Sequence, residues 1–193
     1  MSENIFYPAS RDLVDSLSVI YATEPEVLVQ FQGTPQRLAR MYAEFCWHPD
    51  TIEEEINKQF RRFDSNFDEM LVKRNIHVWT LCPHHLLPCE FRVFIGYIPK
   101  KGKVLGLSKL TRVAEILAKK PIMQEQYTTE LADLLMKRLE PVGVGVTVYG
   151  KHGCMMARGI KQNSEVVTSV MREVFLKEGP TRSEFLAFCR DKE

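Results

Sequence analysis

The chain has 193 residues, with 26 Lys and Arg against 25 Asp and Glu, and a formal net charge of +1. Hydrophobic residues make up 45% of it, which is enough for a packed core and excludes a disordered chain. A charge this close to neutral gives no indication of a broad nucleic-acid-binding face, and no apolar run approaches the roughly 20 residues of a membrane span. Five scattered cysteines and no recognisable signal peptide lead us to expect a cytoplasmic protein with no nucleic-acid or membrane partner.

The first 70 residues are predicted to form a helical segment and a connector. Apolar residues recur at near-helical spacing and predict a helix over residues 11–21, followed by an irregular link. Thr34, followed by proline, is expected to cap the start of a second helix. Residues 48–70 are charged and weakly patterned, which is typical of a solvated connector with a short helix.

The pattern then changes to alternating apolar residues, as in strands. Two strands are predicted over residues 71–80 and 91–99, with residues 82–88 crossing between them. Residues 143–150 alternate most regularly and predict a further strand, with which residues 154–160 are expected to pair.

Two helices are predicted between these pairs of strands. A turn at residues 100–103 leads to the first helix, for which Ser108 is the expected N-cap. The second helix is expected to end before Pro141, because a residue that precedes proline disfavours the helical conformation. Thr181 and Glu184 have the spacing of a capping box and predict a last helix.

This order of elements predicts an α+β fold, with an antiparallel four-stranded sheet and two helices on one face. Such a sheet has open edges, and pairing between subunits would cover them. We therefore expect an oligomer.

Thiols and imidazoles occur together at two places in the chain. The first place holds Cys82, His84 and His85, and the second holds His152 and Cys154. Thiolate and imidazole are the ligands that zinc prefers, and a bent loop and a strand end can converge on one ion. Three ligands and an open position would make the ion catalytic, whereas four ligands would make it structural. Packing of these side chains without a metal is the alternative that the pattern leaves open.

The other cysteines and histidines are interpreted as packing residues. For Cys89, next to the first group, a ligand role is an alternative. The set comprises Cys46, Cys89, Cys189, His48 and His77.

Basic residues indicate a second kind of site. Lys109 and Arg112 are three residues apart near a helix start, so they share a face beside free backbone amides that suit a phosphate. Arg37 and Arg158 add guanidinium groups with geometry suited to phosphate. Glu125 could accept two N–H groups of a planar base. The alternative for each of these residues is a solvated surface position.

The ordered motifs of residues 34–190 closely resemble those of the GTP cyclohydrolase I family. These motifs are Cys-x-His-His-Leu-Leu-Pro from Cys82, Ile-Gly-Tyr-Ile-Pro from Ile95, Val-Leu-Gly-Leu-Ser-Lys-Leu-x-Arg from Val104, Gln-Glu from Gln124, Pro-x-Gly-Val-x-Val from Pro141 and His-x-Cys-Met-x-x-Arg-Gly from His152.

The resemblance implies a tunnelling-fold catalytic domain over residues 71–193 behind an N-terminal helical segment, residues 1–70. It also implies a homodecamer of two face-to-face pentamers whose active sites are shared between subunits. The implied reaction converts GTP and water to 7,8-dihydroneopterin triphosphate and formate. Zinc-bound hydroxide would attack guanine C8, histidines would transfer protons, and rearrangement of the ribose would then close the pterin ring.

The resemblance also implies a role for each matching residue. Zinc would be held by Cys82, His85 and Cys154, with His84 and His152 as acid–base groups and Ser108 near the ribose. Guanine would be bound by Glu125, with Gln124 lining the pocket, and the triphosphate would be bound by Lys109, Arg112, Arg158 and Arg37.

Four positions depart from the family pattern. Pro83 stands where glutamate is usual and Gln126 where arginine is usual, while Cys89 and Phe91 replace the usual phenylalanine and glycine after the second proline. Two alternative functions remain open: a related tunnelling-fold enzyme of 7-deazaguanine metabolism, and a non-catalytic zinc-stabilised assembly that binds nucleotide. The pathway that a pterin product would enter, whether folate, a biopterin-like cofactor or deazaguanine, is also open.

Overall fold

The computed structural model describes residues 2–100 and 102–190. Its helices are α1 (Ser2–Ile20), α2 (Pro25–Gln30), α3 (Thr34–Phe45), α4 (Pro49–Asn57), α5 (Leu107–Leu117), α6 (Gln124–Leu139), α7 (Gly153–Met156) and α8 (Pro180–Cys189). Its strands are β1 (Arg62–Asp64), β2 (Leu71–Leu81), β3 (Pro88–Ile98), β4 (Lys103–Leu105), β5 (Gly143–His152) and β6 (Val166–Glu173). No helix in these two ranges combines the length and the apolar character needed to cross a membrane.

The chain divides into two compact units, Met1–His48 and Pro49–Glu193. In the first unit α1 packs against α3, burying Val14 and Ala39. The helix predicted at residues 11–21 is therefore present but longer, and α2 occupies part of the stretch predicted to be irregular. The functional division between residues 70 and 71 stays a prediction.

The second unit is built on an antiparallel sheet with the strand order β2-β3-β5-β6. One face of β3 carries Phe91, Val93 and Ile95, all fully buried, and α5 and α6 pack on the sheet. On the alternate positions of β3, Phe94 belongs to a separate core with residues of α8, including Phe185. The predicted α+β fold is confirmed, and the last helix contributes to a second core that the sequence analysis did not locate.

Three predicted local features were wrong. Besides β3, the partner of β5 is β6, since residues from Gly153 turn into the short helix α7 instead of forming a strand. The predicted caps Thr34 and Ser108 already lie inside α3 and α5, whose N-caps are Gly33, with a left-handed φ of 71°, and Gly106.

The capping box of the last helix was the third error. α8 begins one residue before Thr181, at Pro180, and its N-cap Gly179 makes no side-chain cap hydrogen bond. Proline fixes the first helical φ without needing an N–H partner, so this helix start requires no hydroxyl cap.

The connector is more ordered than its charge pattern suggested. The predicted short helix is α4, but Ile52 and Ile56 on it are buried, and α4 packs against α5. Further along, β1 pairs with β4 in a small antiparallel sheet. The predicted turn at residues 100–103 includes Lys101, which lies outside the described residues.

Substituting Gly96→Ala is expected to destabilise the second unit by about 1–3 kcal/mol, the usual cost of overpacking a core. A Cβ atom there would lie 2.5 Å from Cδ2 of Phe185, which is fully buried. Chemical denaturation of the variant would measure the loss. Gly179→Ala is the matched control, because its φ of 166° is extended and its Cβ would meet nothing within 4 Å. Equal stability of the two variants would contradict the expectation.

Candidate active site

The turn between β2 and β3 positions the first thiol and the two adjacent histidines. The strands pair up to Leu81 and Pro88, and beyond them the Cys82 N–H donates to the Leu87 carbonyl oxygen at 2.9 Å. The Leu86 N–H donates to the Cys82 carbonyl oxygen at 2.8 Å, with Leu86 itself at a φ of 53°. This closed turn buries the Cys82 side chain and leaves the histidines at its exposed tip.

The second thiol reaches the same place because β3 and β5 are neighbours. Cys89 pairs with His152 in their register, so the end of β5 lies beside the turn. Gly153 allows the close approach, since a Cβ atom there would lie 2.6 Å from the Pro88 carbonyl oxygen. Cys154 then sits in α7. His152 ends β5, whereas Cys154 lies in this helix and not in the strand expected over residues 154–160, although both residues reach the site.

The three predicted ligands converge. One ligand atom each from Cys82, His85 and Cys154 can be chosen so that all lie within 4.8 Å of one another. Cys82 Sγ lies 3.6 Å from His85 Nδ1. Sulfur and nitrogen bound tetrahedrally to one zinc ion would be about 3.6 Å apart, given Zn–S near 2.3 Å and Zn–N near 2.05 Å. The donor set and its spacing therefore fit a zinc ion with three protein ligands.

The charge state of the second thiol also bears on this site. Burial raises the pKa of Cys154, and the adjacent Cys82 thiol raises it further, while the Arg158 guanidinium acts in the opposite direction. Zinc binds cysteines as thiolates. A bound zinc ion would therefore stabilise the negative charges of Cys82 and Cys154 with its positive charge.

His152 is held at both ring nitrogens. Its Nε2 lies 2.8 Å from Gln124 Oε1, and its Nδ1 lies 3.4 Å from Cys89 Sγ. The Phe91 ring packs beside the imidazole at a centroid separation of 5.9 Å. Burial lowers the pKa of His152, and the nearby Glu125 carboxylate partly opposes that shift. Burial also raises the pKa of Cys89 to about 12, with Cys82 and Cys154 contributing in the same direction.

Gln124 is almost completely buried, and it is directed into the protein. Its Nε2 donates to the carbonyl oxygens of Val148 at 3.0 Å and Val166 at 2.8 Å, and to Thr168 Oγ1 at 3.2 Å. The side chain predicted to line a substrate pocket therefore links β5, β6 and His152 in the described structure. Gly150 makes room for it, since a Cβ atom there would lie 2.0 Å from Gln124 Oε1.

Gly150→Ala should therefore displace the Gln124 amide, break its contact with His152 and lower turnover about fivefold, which corresponds to the roughly 1 kcal/mol of one neutral hydrogen bond. Steady-state kinetics would measure the loss, and circular dichroism would check that the sheet is retained. Gly159→Ala is the control for glycine loss nearby, because a Cβ there meets nothing within 4 Å, although its φ of 63° adds backbone strain. Unchanged turnover in the Gly150 variant would contradict this role of the amide.

The remaining predicted residues lie on other elements. Glu125 is exposed on the first turn of α6, and Arg158 is exposed after α7. Ser108 and Arg112 are exposed on α5, where Lys109 Nζ donates to Gln59 Oε1 at 3.1 Å.

Arg37 belongs to the first unit, where its Nη2 donates to Thr34 Oγ1 at 2.7 Å. The structure thus brings together the zinc-type ligands with His152 and Gln124. The Glu125 carboxylate raises the pKa of His152, and the Arg158 guanidinium lowers the pKa of Cys154, each against the larger effect of burial.

One neighbour of the site was missed by sequence reasoning. Cys89 was assigned to packing, and it is buried, but its sulfur also contacts His152. The available signal was the strand register: a residue at the start of one strand and a histidine at the end of its antiparallel partner lie opposite each other.

The chain is similar in sequence to a known enzyme family. The sequence model of the GTP cyclohydrolase I family matches residues 19–190. The GTP cyclohydrolase 1 of Pelotomaculum thermopropionicum is 44% identical over 161 residues, covering 82% of this chain and 84% of the relative. That of Thermoanaerobacter pseudethanolicus is 38% identical over 161 residues, covering 83% and 85%. A crystal structure of the archaeosine synthase QueF-Like in the apo form aligns with a TM-score of 0.37 at 22% identity, covering 52% of this chain and 90% of that one.

An α+β domain with converging thiols and imidazoles beside a held histidine is the architecture of an enzyme site. The chain belongs to the GTP cyclohydrolase I family. It is accordingly an enzyme, a hydrolase, and the predicted tunnelling fold is confirmed by this membership together with the observed sheet.

Proposed function

We propose that this chain is a zinc-dependent hydrolase that converts GTP and water to 7,8-dihydroneopterin triphosphate and formate. The observation that carries the proposal is the convergence of Cys82, His85 and Cys154 near Cys89, whose sulfur contacts His152. A structural zinc would need a fourth protein ligand, whereas three ligands leave a coordination position for chemistry.

When bound, zinc would supply Lewis acidity that makes water nucleophilic near neutral pH. The chain's own residues supply the proton transfers. Opening the guanine imidazole ring at C8 and releasing formate require protonation of ring nitrogens, and later steps move protons on the ribose. An imidazole can both accept and donate a proton, so we assign these transfers to His84 and His152. His84 is exposed on the turn and open to a substrate, while His152 is held by Gln124 and Cys89.

Substrate recognition is assigned to charged residues around this centre. The Glu125 carboxylate would accept N–H groups of the guanine base, and Ser108 would lie near the ribose. Lys109, Arg112, Arg158 and Arg37 would bind the triphosphate. Since the triphosphate does not react, its binding energy would serve to orient the base at the metal.

We further propose that the protein assembles as a homodecamer with active sites shared between subunits, in the cytoplasm. β2 and β6 are the edges of the described sheet and offer unpaired backbone groups for such assembly. Native mass spectrometry of the purified protein tests the assembly. A fully active monomer would overturn the shared site.

Incubation of zinc-loaded protein with GTP tests the reaction, with formate assayed and the pterin followed by absorbance and fluorescence. Formate together with pterin is the expected result. Formate without pterin would limit the chain to ring opening, and neither product would favour a zinc-stabilised nucleotide-binding assembly instead. A 7-deazaguanine enzyme would require a nucleophilic cysteine, and the convergence of both candidate thiols on one ligand cluster argues against it.

A further inference from the structure

Cys89 lies opposite His152 and touches it. The two residues are partners in the register of β3 and β5, and the Cys89 sulfur lies 3.4 Å from His152 Nδ1. Cys89 is only 1% exposed, so its sulfur is shielded from water. It is not one of the three residues whose ligand atoms cluster for a metal in the described chain.

The direction of the hydrogen bond follows from the other side of the ring. The Gln124 amide could in principle face His152 with either its oxygen or its nitrogen. Two backbone carbonyl oxygens, of Val148 and Val166, lie within 3.0 Å of the atom assigned as Nε2. A carbonyl oxygen only accepts, so that atom must be the NH₂ group, and the amide oxygen must face the imidazole.

The orientation of the amide determines which nitrogen of the neutral His152 ring carries the hydrogen. Gln124 Oε1 only accepts, and it lies 2.8 Å from His152 Nε2, so Nε2 carries the hydrogen. Nδ1 is then a lone-pair acceptor. The Cys89 sulfur faces Nδ1 and can form a hydrogen bond with this acceptor only by donating its S–H hydrogen. The other acceptor near that sulfur is the Leu87 carbonyl oxygen, which is more distant at 3.9 Å.

We propose that Cys89 is a positioning residue, whose thiol donates to His152 Nδ1 and, with Gln124 on Nε2, fixes the ring and its tautomer. The importance of this contact for turnover rests on the acid–base role proposed above for His152. The contact itself is independent of that role. Without the donor, one side of the partly buried imidazole loses its partner, and the ring gains freedom to rotate.

Three proteins test the inference, each zinc-loaded and in its native assembly: wild type, Cys89→Ala and Cys89→Ser. Alanine removes the donor, whereas serine keeps a hydroxyl donor in nearly the same place. Solid-state ¹⁵N NMR of ¹⁵N-histidine protein reports the protonation of each ring nitrogen whatever the size of the assembly. The His152 signals are identified by their loss in a His152→Gln sample.

In wild type we expect a protonated Nε2 and an unprotonated, hydrogen-bonded Nδ1. In Cys89→Ala the Nδ1 signal should move to the position of a free acceptor, and kcat should fall about fivefold with KM within about twofold of wild type. Cys89→Ser should recover most of both changes. Zinc content should be the same in all three proteins.

Three results would overturn the inference: a protonated Nδ1 in wild type, identical Nδ1 signals in wild type and Cys89→Ala, or loss of zinc from Cys89→Ala, which would make Cys89 a ligand. If the proposed function were wrong, the experiment would give a different set of results. In that case wild type would release no formate from GTP, while the NMR signals would still follow the expected pattern.

Discussion

Cys154→Ala should lose bound zinc and release formate from GTP at least about a thousandfold more slowly than wild type, while remaining folded. The variant would leave Cys82 and His85 as the only members of the ligand cluster, with 3.6 Å between their ligand atoms. Two ligands bind zinc far more weakly than three, and water that is not activated by a metal is a poor nucleophile near neutral pH. Metal analysis and a formate assay on the same preparation measure both effects.

Cys46→Ala is the matched control for this experiment. Cys46 is also a free and partly exposed thiol, but it follows α3 in the first unit. The Cys46→Ala variant should retain bound zinc and wild-type activity. The account fails if Cys154→Ala keeps its zinc and its rate, and an unfolded variant would indicate a structural metal instead.

Glu125→Gln should lower kcat/KM for GTP about a hundredfold, the upper range for losing a hydrogen bond to a charged group. The substitution keeps the size of the side chain but places an amide donor where the base would present its N–H groups. Glu125 lies on the exposed first turn of α6, close enough to His152 to influence its pKa. Steady-state kinetics with GTP measures the loss.

Glu130→Gln on the same helix is the control. Glu130 is partly exposed and pairs with Lys120 Nζ at 2.6 Å and with Gln126 Nε2 at 2.8 Å. A surface pair of this kind contributes about 0–1 kcal/mol, so activity should be nearly unchanged. If the two variants were equally active, Glu125 would not be the group that binds guanine.

The sheet and its main helices could be predicted because their apolar periodicity is regular. Residues 143–150 alternate with period two, and the observed β5 contains them. Its partner β6 was missed since Val166–Glu173 is an edge strand on which Met171 alone is buried, so its pattern is weak. Helix starts were misplaced by one or two residues because glycines supply the caps, whereas hydroxyl residues nearby offered the stronger local signal.

The ligand set could be predicted for a different reason. Zinc chemistry restricts the ligands to a few residue types, and this chain has few thiols and imidazoles, so two short groups stood out. The role of Cys89 could not be predicted in the same way, because it depends on the register of β3 against β5. The orientation of Gln124 depends on acceptors from both β5 and β6, which only the folded sheet brings together.

The central claim is that the Cys82, His85 and Cys154 cluster binds a zinc ion that is required for converting GTP. The most direct test is to strip one preparation of metal, titrate zinc back, and measure formate and pterin from GTP at each step. We predict no product without metal, equal amounts of formate and pterin, and a rate that rises until about one zinc is bound per chain. Full product formation by metal-free protein would contradict the claim, as would zinc-saturated, folded protein that makes neither product.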